Sequence, residues 1–114
     1  MMSTMRSALL ALSSLALFAC TSSFGRGIAH YDRAEYPQAL ECLAAVEDDW
    51  PAMSHRERAR YSLYRGLTHF ALGNRKQAKL WLEEAKRAYE ADPGLLSDEE
   101  AGKLGSAWAH LPGD

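Results

Sequence analysis

The sequence predicts an all-α fold, in which two antiparallel helical hairpins and a C-terminal capping helix form a fragment of an α-solenoid. Three observations support this prediction. Apolar residues recur at spacings of three and four from about residue 24 onward, which is typical of amphipathic helices. Two Ser-x-x-Glu sequences, at 54–57 and 97–100, are typical of helix N-termini. One stretch of the chain also matches a later stretch at an offset of 39 residues, which indicates a repeated structural unit.

The composition limits the classes of function. The 114 residues include 13 basic and 15 acidic side chains, so the net charge is −2. A chain of this length forms one small domain, and it lacks the excess of Lys and Arg that nucleic-acid binding requires. The two cysteines, Cys20 and Cys42, are too few for a disulfide framework. Because no nucleophile, phosphate-binding or metal-binding motif is present, the sequence predicts a protein that is not an enzyme and has no cofactor.

Residues 1–19 have the pattern of an export signal. A short polar start with Arg6 precedes a run at 8–19 that is apolar apart from two serines. Twelve helical residues span about 18 Å, which is less than the roughly 30 Å of a bilayer core. The run is therefore too short for a membrane-spanning helix and suits a signal peptide that is removed from the mature protein.

The end of this segment, Leu17-Phe18-Ala19-Cys20, resembles the lipobox of bacterial lipoproteins. The resemblance implies that the chain is cut before Cys20, that Cys20 carries the lipid, and that residues 20–23 form the lipidated cysteine and its tether. It also implies a lipid-anchored location on the periplasmic side of the cell envelope. The outer membrane is preferred, because Thr21 stands where an aspartate would favour inner-membrane retention. A plain signal peptide with an unmodified Cys20 is the alternative.

The first repeat, about 22–51, is predicted to form two helices. The first covers about 22–33 and the second covers about 36–48. Pro37 suits the first turn of the second helix, where its missing N–H group would have no partner in any case. Pro51 follows the end of the pair, a common place for a residue that cannot continue a helix.

The second repeat, about 57–93, is predicted to form another pair. A capping box of Ser54 and Glu57 opens its first helix. Gly73-Asn74 ends that helix and caps the next one, and Pro93 lies after the second helix. The buried face of the second helix is expected to consist of Ala78, Trp81, Leu82, Ala85 and Tyr89.

A last helix, about 98–110, is predicted from the second capping box, Ser97 with Glu100. Its apolar residues recur at helical spacing, so we expect it to cover the exposed face of the second pair. The apolar stripe consists of Leu104, Trp108 and Leu111, and the residues expected to point outward are Asp98, Glu99 and Glu100.

Small residues and a proline recur in both repeats: Gly27, Ala39 and Pro51 in the first, and Gly66, Gly73, Ala78 and Pro93 in the second. The small residues allow two helices to pack at the short end of the usual range of about 8–10 Å. This pattern resembles the tetratricopeptide repeat, a helical hairpin of about 34 residues. The resemblance covers about residues 22 to 93 within a helical domain of 24–111, and it implies a concave surface that binds peptides.

Carried over position by position, the resemblance places eight residues along that concave groove: Phe24, Ile28, Tyr31, Arg60, Leu63, Tyr64, Leu67 and Phe70. Because these residues are mostly apolar, we expect the groove to suit an amphipathic helix. The resemblance implies a lipid-anchored adaptor or scaffold that binds a protein or peptide, such as an assembly factor of an envelope complex. The alternative, which the sequence leaves open, is that the first pair and the capping helix bury this face as core.

Two further hypotheses remain open. The chain could be a structural subunit that associates with itself as a homodimer. It could also bind a metal ion through His30 and His69, which the repeat brings into register. Two imidazoles are too few for a zinc site, so packing with one hydrogen-bonded nitrogen is the favoured interpretation and no metal is predicted.

The charges are unevenly distributed along the chain. Residues 51–87 carry nine basic and three acidic groups, and the segments on both sides of them are acidic. One interpretation is that a basic unit stacks between two acidic ones. The other is a basic face that meets an acidic protein or an anionic headgroup, formed by Arg56, Arg58, Arg60, Lys76 and Lys79.

Overall fold

The computed structural model describes residues 23–111, and all of the regular structure in this range is helical. The all-α prediction is therefore confirmed. No helix among these residues is both long enough and apolar enough to cross a membrane. The predicted signal peptide, residues 1–19, and the predicted lipid-attachment residue Cys20 lie outside the described range. The α-helices are α1 (Ser23–Asp32), α2 (Tyr36–Ala44), α3 (His55–Ala71), α4 (Arg75–Ala91) and α5 (Asp98–Ala109), and 3₁₀ helices cover Glu47–Ala52 and Pro93–Leu95.

α3 is the central element of the fold. It packs most extensively against α4, and it also contacts α1, α2 and α5. α1 packs mainly against α2, and α5 lies against both α3 and α4. Because α3 has neighbours on several sides, nine of its residues are buried, compared with one in α1. The hydrophobic core is therefore built around this helix.

In each helix pair, one glycine lets the two helices approach closely. A Cβ atom at Gly27 would lie 2.9 Å from the Leu43 side chain, and one at Gly66 would lie 2.6 Å from the Leu82 side chain. Both distances are shorter than an ordinary carbon–carbon contact. Each glycine lies in the first helix of a pair and each leucine in the second. The two pairs therefore use the same contact at the same 39-residue offset that relates their sequences.

The turns inside the two pairs also correspond. Ala34 and Gly73 have positive φ angles of 59° and 83°, and each follows the first helix of its pair. In both turns the next amide donates to a carbonyl five residues earlier, which is typical of a Schellman helix end. These bonds join Glu35 N to His30 O at 2.8 Å and Asn74 N to His69 O at 2.9 Å.

Capping boxes begin α3 and α5, and both predictions are confirmed. The Ser54 hydroxyl accepts from the Glu57 amide at 3.1 Å, and the Glu57 carboxylate accepts from the Ser54 amide at 3.2 Å. Ser97 and Glu100 make the same two bonds at 3.1 and 3.0 Å. These bonds satisfy amides that have no partner inside a helix, and the bonds with Ser54 lower the pKa of Glu57.

α2 is shorter than predicted, because it ends at Ala44 rather than near residue 48. The chain continues as the 3₁₀ helix Glu47–Ala52, which contains Pro51. Proline has no N–H group to donate, and the i→i+3 bonds of this short helix replace a further α-turn. Trp50 attaches the segment to α3, because its Nε1 donates to the Ser62 hydroxyl at 3.3 Å.

Candidate functional site

The faces of α1 and α3 that carry the predicted groove residues are turned toward each other. The rings of Phe24 and Tyr61 meet edge to face, with centroids 5.6 Å apart. Tyr31 and Tyr64 form a second edge-to-face pair at 5.5 Å. Such pairs stabilise a helix contact beyond the apolar area that they bury. Phe24 and Tyr31, two of the three α1 residues of the predicted groove, therefore pack against α3.

Burial divides the eight predicted groove residues into two sets. Leu63, Tyr64 and Leu67 are buried in the core, because α5 covers this part of α3. The prediction of a continuous open groove is corrected at these three positions, and binding of a partner at the rest remains a prediction. The half-buried members of the set are Phe24, Ile28, Tyr31, Arg60 and Phe70.

Glu100 points inward, so the prediction that it faces solvent is wrong. The residue is only 7% exposed, and its carboxylate accepts from Arg60 Nε at 2.8 Å. Burial disfavours the charged form, but bonds from the Ser97 amide and from Arg60 outweigh burial and hold the pKa of Glu100 below its ordinary value. The sequence spacing could have predicted this burial, because Glu100, Leu104 and Ala107 lie on one helix face.

Lys103 occupies the centre of the predicted groove. Its Nζ lies 5.7 Å from the centroid of the Tyr31 ring and 5.4 Å from that of Tyr64. It also forms ion pairs with Asp32 at 3.7 Å and Glu99 at 3.5 Å. Burial alone would lower the pKa of Lys103, but Tyr64, Asp32 and Glu99 outweigh burial and raise it. No motif marks this lysine.

Lys103 divides the remaining space beside α5 into two clefts. The polar cleft has a volume of about 490 Å³ and is lined by Ile28, Asp32, Arg56, Arg60, Tyr64, Ser97, Glu99, Glu100 and Lys103. The apolar cleft has a volume of about 510 Å³ and is lined by Tyr31, Leu67, Phe70, Gly102, Lys103, Ser106, Ala107 and His110. The apolar cleft is the part of the predicted groove that still offers an apolar surface.

Arg75 and His110 make defined contacts at the apolar cleft. Arg75 closes one end, since its guanidinium lies 5.9 Å from the centroid of the Phe70 ring and donates to the His110 carbonyl at 3.4 Å. The His110 ring bonds to the Ser106 carbonyl at 2.7 Å. The imidazole therefore does not engage the Ser106 hydroxyl, and no nucleophile–base pair of the kind that activates serine is formed here.

Arg58 and Arg60 of the predicted basic face are engaged in contacts within the fold. The guanidinium of Arg58 lies 5.3 Å from the centroid of the Trp50 ring, and Arg60 is held by Glu100. Arg56 is exposed beside the polar cleft. The other two, Lys76 and Lys79, lie on α4. The basic residues are therefore distributed over two helices, and part of their charge is used in contacts between elements.

His30 and His69 occupy equivalent turns, and each ring bonds to the side chain five residues later. His30 Nδ1 lies 2.9 Å from the Glu35 carboxylate, and His69 Nδ1 lies 3.3 Å from the Asn74 amide nitrogen. Asn74 is the N-cap residue of α4, as predicted, but its side chain makes no capping hydrogen bond. Burial, aided by the nearby charge of Arg65, lowers the pKa of His69. Within residues 23–111, no group of three or more His, Cys, Asp or Glu side chains is placed to hold a metal ion.

Two further depressions lie beside the 3₁₀ helix Glu47–Ala52, and no sequence motif marks either of them. The larger, about 690 Å³, is lined by Trp50, His55, Arg58, Ala59, Ser62, Glu84, Arg87, Ala88, Ala91, Asp92 and Leu95. The other, about 580 Å³, we name the Leu80 surface, and it is lined by Glu47, Asp48, Trp50, Pro51, Gln77, Leu80, Trp81 and Glu84.

The chain was compared with protein-family models, with curated proteins and with solved structures. None of the three comparisons gives a match.

Proposed function

We propose that this chain is a lipid-anchored adaptor of the cell envelope that binds a protein or peptide partner without catalysis. The observation that carries the proposal is the apolar cleft beside α5, which presents Tyr31 and Phe70 next to the small residues of α5. An apolar cleft between helices is suited to the apolar side chains of an amphipathic partner segment.

The corresponding details of the two helix pairs support a tetratricopeptide-like architecture for the adaptor. The glycine–leucine contacts, the left-handed turn residues and the bonds across the turns all recur at the 39-residue offset. In this architecture the first helices of successive pairs line the concave side. α5 takes the place of a next pair and covers part of that side, which leaves the apolar cleft for the partner.

The lipid anchor is proposed from the sequence around Cys20. α1 begins at Ser23, only three residues after that cysteine, so an extended tether reaches roughly 10 Å. A domain held this close to a bilayer suits assembly at the membrane surface. Replacing Cys20 with alanine is expected to abolish incorporation of labelled fatty acid into the protein. Equal labelling of the parent and the variant, or no labelling of the parent, would argue against a lipid on this residue.

Photo-crosslinking tests the apolar cleft as a partner site. Ser106 and Gly105 are neighbouring exposed residues of α5, but only Ser106 lines the cleft. A photoreactive amino acid at position 106 is expected to give a discrete adduct in intact cells, and the same group at position 105 is expected to give little or none. Equal adducts at both positions, or none at 106, would contradict the proposal.

A charge introduced into the apolar cleft tests its role in partner binding, and the same charge at a neighbouring position outside the cleft is the control. Ser106→Arg introduces a cation into the cleft without disturbing a buried residue, whereas Gly105→Arg adds the same charge to the adjacent outer position. We expect partner capture from a photoreactive group at Phe70 to be lost in the first variant and kept in the second. Leu67→Glu is unsuitable for this test, because Leu67 is buried and the variant is expected to unfold.

A further inference from the structure

The Leu80 surface is separate from the apolar cleft and has a different character. Leu80 is 56% exposed and is one of two large apolar residues that the described part of the chain leaves exposed. The surface is a depression of about 580 Å³, which lies within the roughly 300–1,000 Å³ of typical ligand sites. We propose that this surface binds a basic amphipathic segment of a partner protein, in which apolar side chains are flanked by Lys or Arg.

The apolar floor of the surface supports the first half of the proposal. Leu80 and Trp81 come from α4, and Trp50 and Pro51 come from the 3₁₀ helix beside it. Trp81 also packs edge to face on the buried Tyr61, with centroids 5.6 Å apart. The floor is therefore fixed to the core, and a partner would bury apolar area on it without having to order it first.

The acidic side chains around the apolar floor support the proposal that the partner segment is basic. Three carboxylates, those of Glu47, Asp48 and Glu84, line the surface, and no basic side chain does. Glu47 is bonded to Arg65 at 2.7 Å, and Glu84 lies 3.5 Å from Arg87. No ion pair joins Asp48 to another residue in the range 23–111. An apolar floor with a carboxylate rim is complementary to an apolar segment that carries cations.

Arg65 holds the acidic side of the surface in position. Its side chain is only 11% exposed, and its guanidinium lies 5.0 Å from the centroid of the Trp81 ring. The same group donates to Glu47 at 2.7 Å and to the Tyr61 hydroxyl at 2.8 Å, and that hydroxyl donates to the Leu43 carbonyl at 2.6 Å. This chain of bonds fixes the carboxylate of Glu47 beside the apolar floor before any partner arrives.

A second copy of this chain is a poorer occupant than a partner with free cations. A second copy would have to present basic side chains next to apolar ones. Three of the four arginines of α3 are already engaged: Arg58 lies on Trp50, Arg60 is held by Glu100, and Arg65 is held by Glu47. The fourth, Arg56, lies beside the acidic residues of the polar cleft.

A pair of designed peptides tests the proposal with the full-length chain. The probe is an amphipathic helix of leucine and lysine of about 18 residues, or roughly five turns, and the control peptide has glutamate in place of every lysine. Fluorescence anisotropy is expected to show binding of the lysine peptide only. Its affinity is expected to fall as salt is raised from about 0.05 to 0.5 M, because salt screens exposed charges.

Matched variants assign the binding to this surface. Leu80→Ser and Asp48→Asn are each expected to weaken binding of the lysine peptide by about tenfold. Leu72→Ser alters the other exposed large apolar residue, and Glu41→Gln removes an exposed carboxylate on α2. Neither control is expected to change the affinity. Ser106→Arg in the apolar cleft is also expected to have no effect, so the result is independent of the function proposed above.

Four outcomes would overturn the proposal. These are equal binding of both peptides, absence of binding by either, equal loss in the Leu72→Ser and Leu80→Ser variants, and a dimer that Leu80→Ser abolishes. Sedimentation at several protein concentrations detects the dimer, which would assign the surface to a second copy of the chain.

Discussion

Ala34 and Gly73 occupy the same place in the two helix pairs, but only one of them is a glycine. A residue with a Cβ atom in the left-handed region costs roughly 1–2 kcal/mol, and glycine avoids this cost. Ala34 adopts a φ of 59° in spite of the cost, because the surrounding turn requires it. The first repeat therefore contains a strained residue where the second does not.

Exchanging these two residue types is expected to have opposite effects. Ala34→Gly is expected to stabilise the fold by about 0.5–1 kcal/mol, since it removes the strain at the cost of some backbone entropy. Gly73→Ala is expected to destabilise it by about 1 kcal/mol. Urea denaturation measures both free energies of unfolding. Destabilisation by Ala34→Gly would show that the turn does not hold this conformation in solution.

A methyl group at Gly66 is expected to be more costly than one at Gly27. At Gly66 the added atom would meet both the Leu82 side chain at 2.6 Å and the Leu82 backbone nitrogen at 3.0 Å, whereas at Gly27 the nearest atoms belong to the Leu43 side chain at 2.9 Å. The Leu43 side chain can adopt another rotamer, but a contact with the Leu82 backbone nitrogen is relieved only if the helix backbone moves. We expect Gly66→Ala to cost about 2–3 kcal/mol and Gly27→Ala about 1 kcal/mol.

Gly105→Ala provides the control for this comparison. No atom lies within 4 Å of a Cβ at Gly105, so this variant is expected to gain about 0.5–1 kcal/mol from the helix propensity of alanine. Thermal unfolding of the three variants measures the order. Equal costs at Gly66 and Gly27 would mean that the two pairs are not packed as described.

α5 is the element whose docking depends most on charge. Its inner face presents Glu100 to Arg60 and Lys103 to two tyrosine rings. The lowered pKa of Glu100 means that the folded state binds its proton less readily than the unfolded state does. Glu100 therefore contributes stability above the ordinary pKa of a glutamate, about 4.3, and that contribution is lost as the pH falls through the lower folded pKa.

Glu100→Gln is expected to remove this pH dependence while keeping the capping box, because glutamine also accepts from the Ser97 amide. We expect the variant to be less stable than the parent by about 1–2 kcal/mol at pH 7, and we expect the difference to shrink as the pH falls through the lowered pKa of Glu100. Chemical denaturation across this pH range measures the difference, and Glu99→Gln, an exposed neighbour, is the control. A constant difference at every pH would contradict the ionic role of Glu100.

The elements differ in how much of them can be predicted from sequence. The starts of α3 and α5 and the close glycine contacts are predictable, because they depend on short motifs and on small residues at repeated positions. The inward position of Glu100 depends on Arg60, which lies 40 residues earlier in the chain. The Ser-x-x-Glu motif also assigns Glu100 to a capping box, which an exposed glutamate can form equally well, so the motif does not indicate burial. No local sequence pattern predicts that Lys103 divides the groove, because this position depends on how α5 packs against the other helices.

Ion pairs at the scale of the whole molecule connect the differently charged segments of the chain. Arg60–Glu100 joins α3 to α5, Arg65–Glu47 joins α3 to the 3₁₀ helix Glu47–Ala52, and Lys103–Asp32 joins α5 to α1. The first two of these pairs join the basic middle of the sequence to an acidic segment on each side of it, whereas the third joins the two acidic segments directly. The Arg60–Glu100 and Arg65–Glu47 pairs agree with the stacking interpretation of the charge pattern.

Hydrogen exchange is expected to be slowest in α3. Its amides open only when contacts with several helices are lost together, whereas α1 has neighbours on fewer sides. We expect the most protected amides to lie between Tyr61 and Thr68 and those of α1 to exchange at least about tenfold faster. Mass spectrometry or NMR measures these rates. Slower exchange in α1 than in α3 would contradict the central position of α3.

Because α3 is central, matching positions of the two helix pairs are expected to differ in the substitutions that they tolerate. His30 and His69 are the same residue in the same turn, yet one ring lies partly in solvent and the other is enclosed. A change that the outer copy accepts can therefore be harmful at the matching position of the inner copy. We therefore expect α1 and α2 to tolerate more substitutions than the matching positions of α3 and α4.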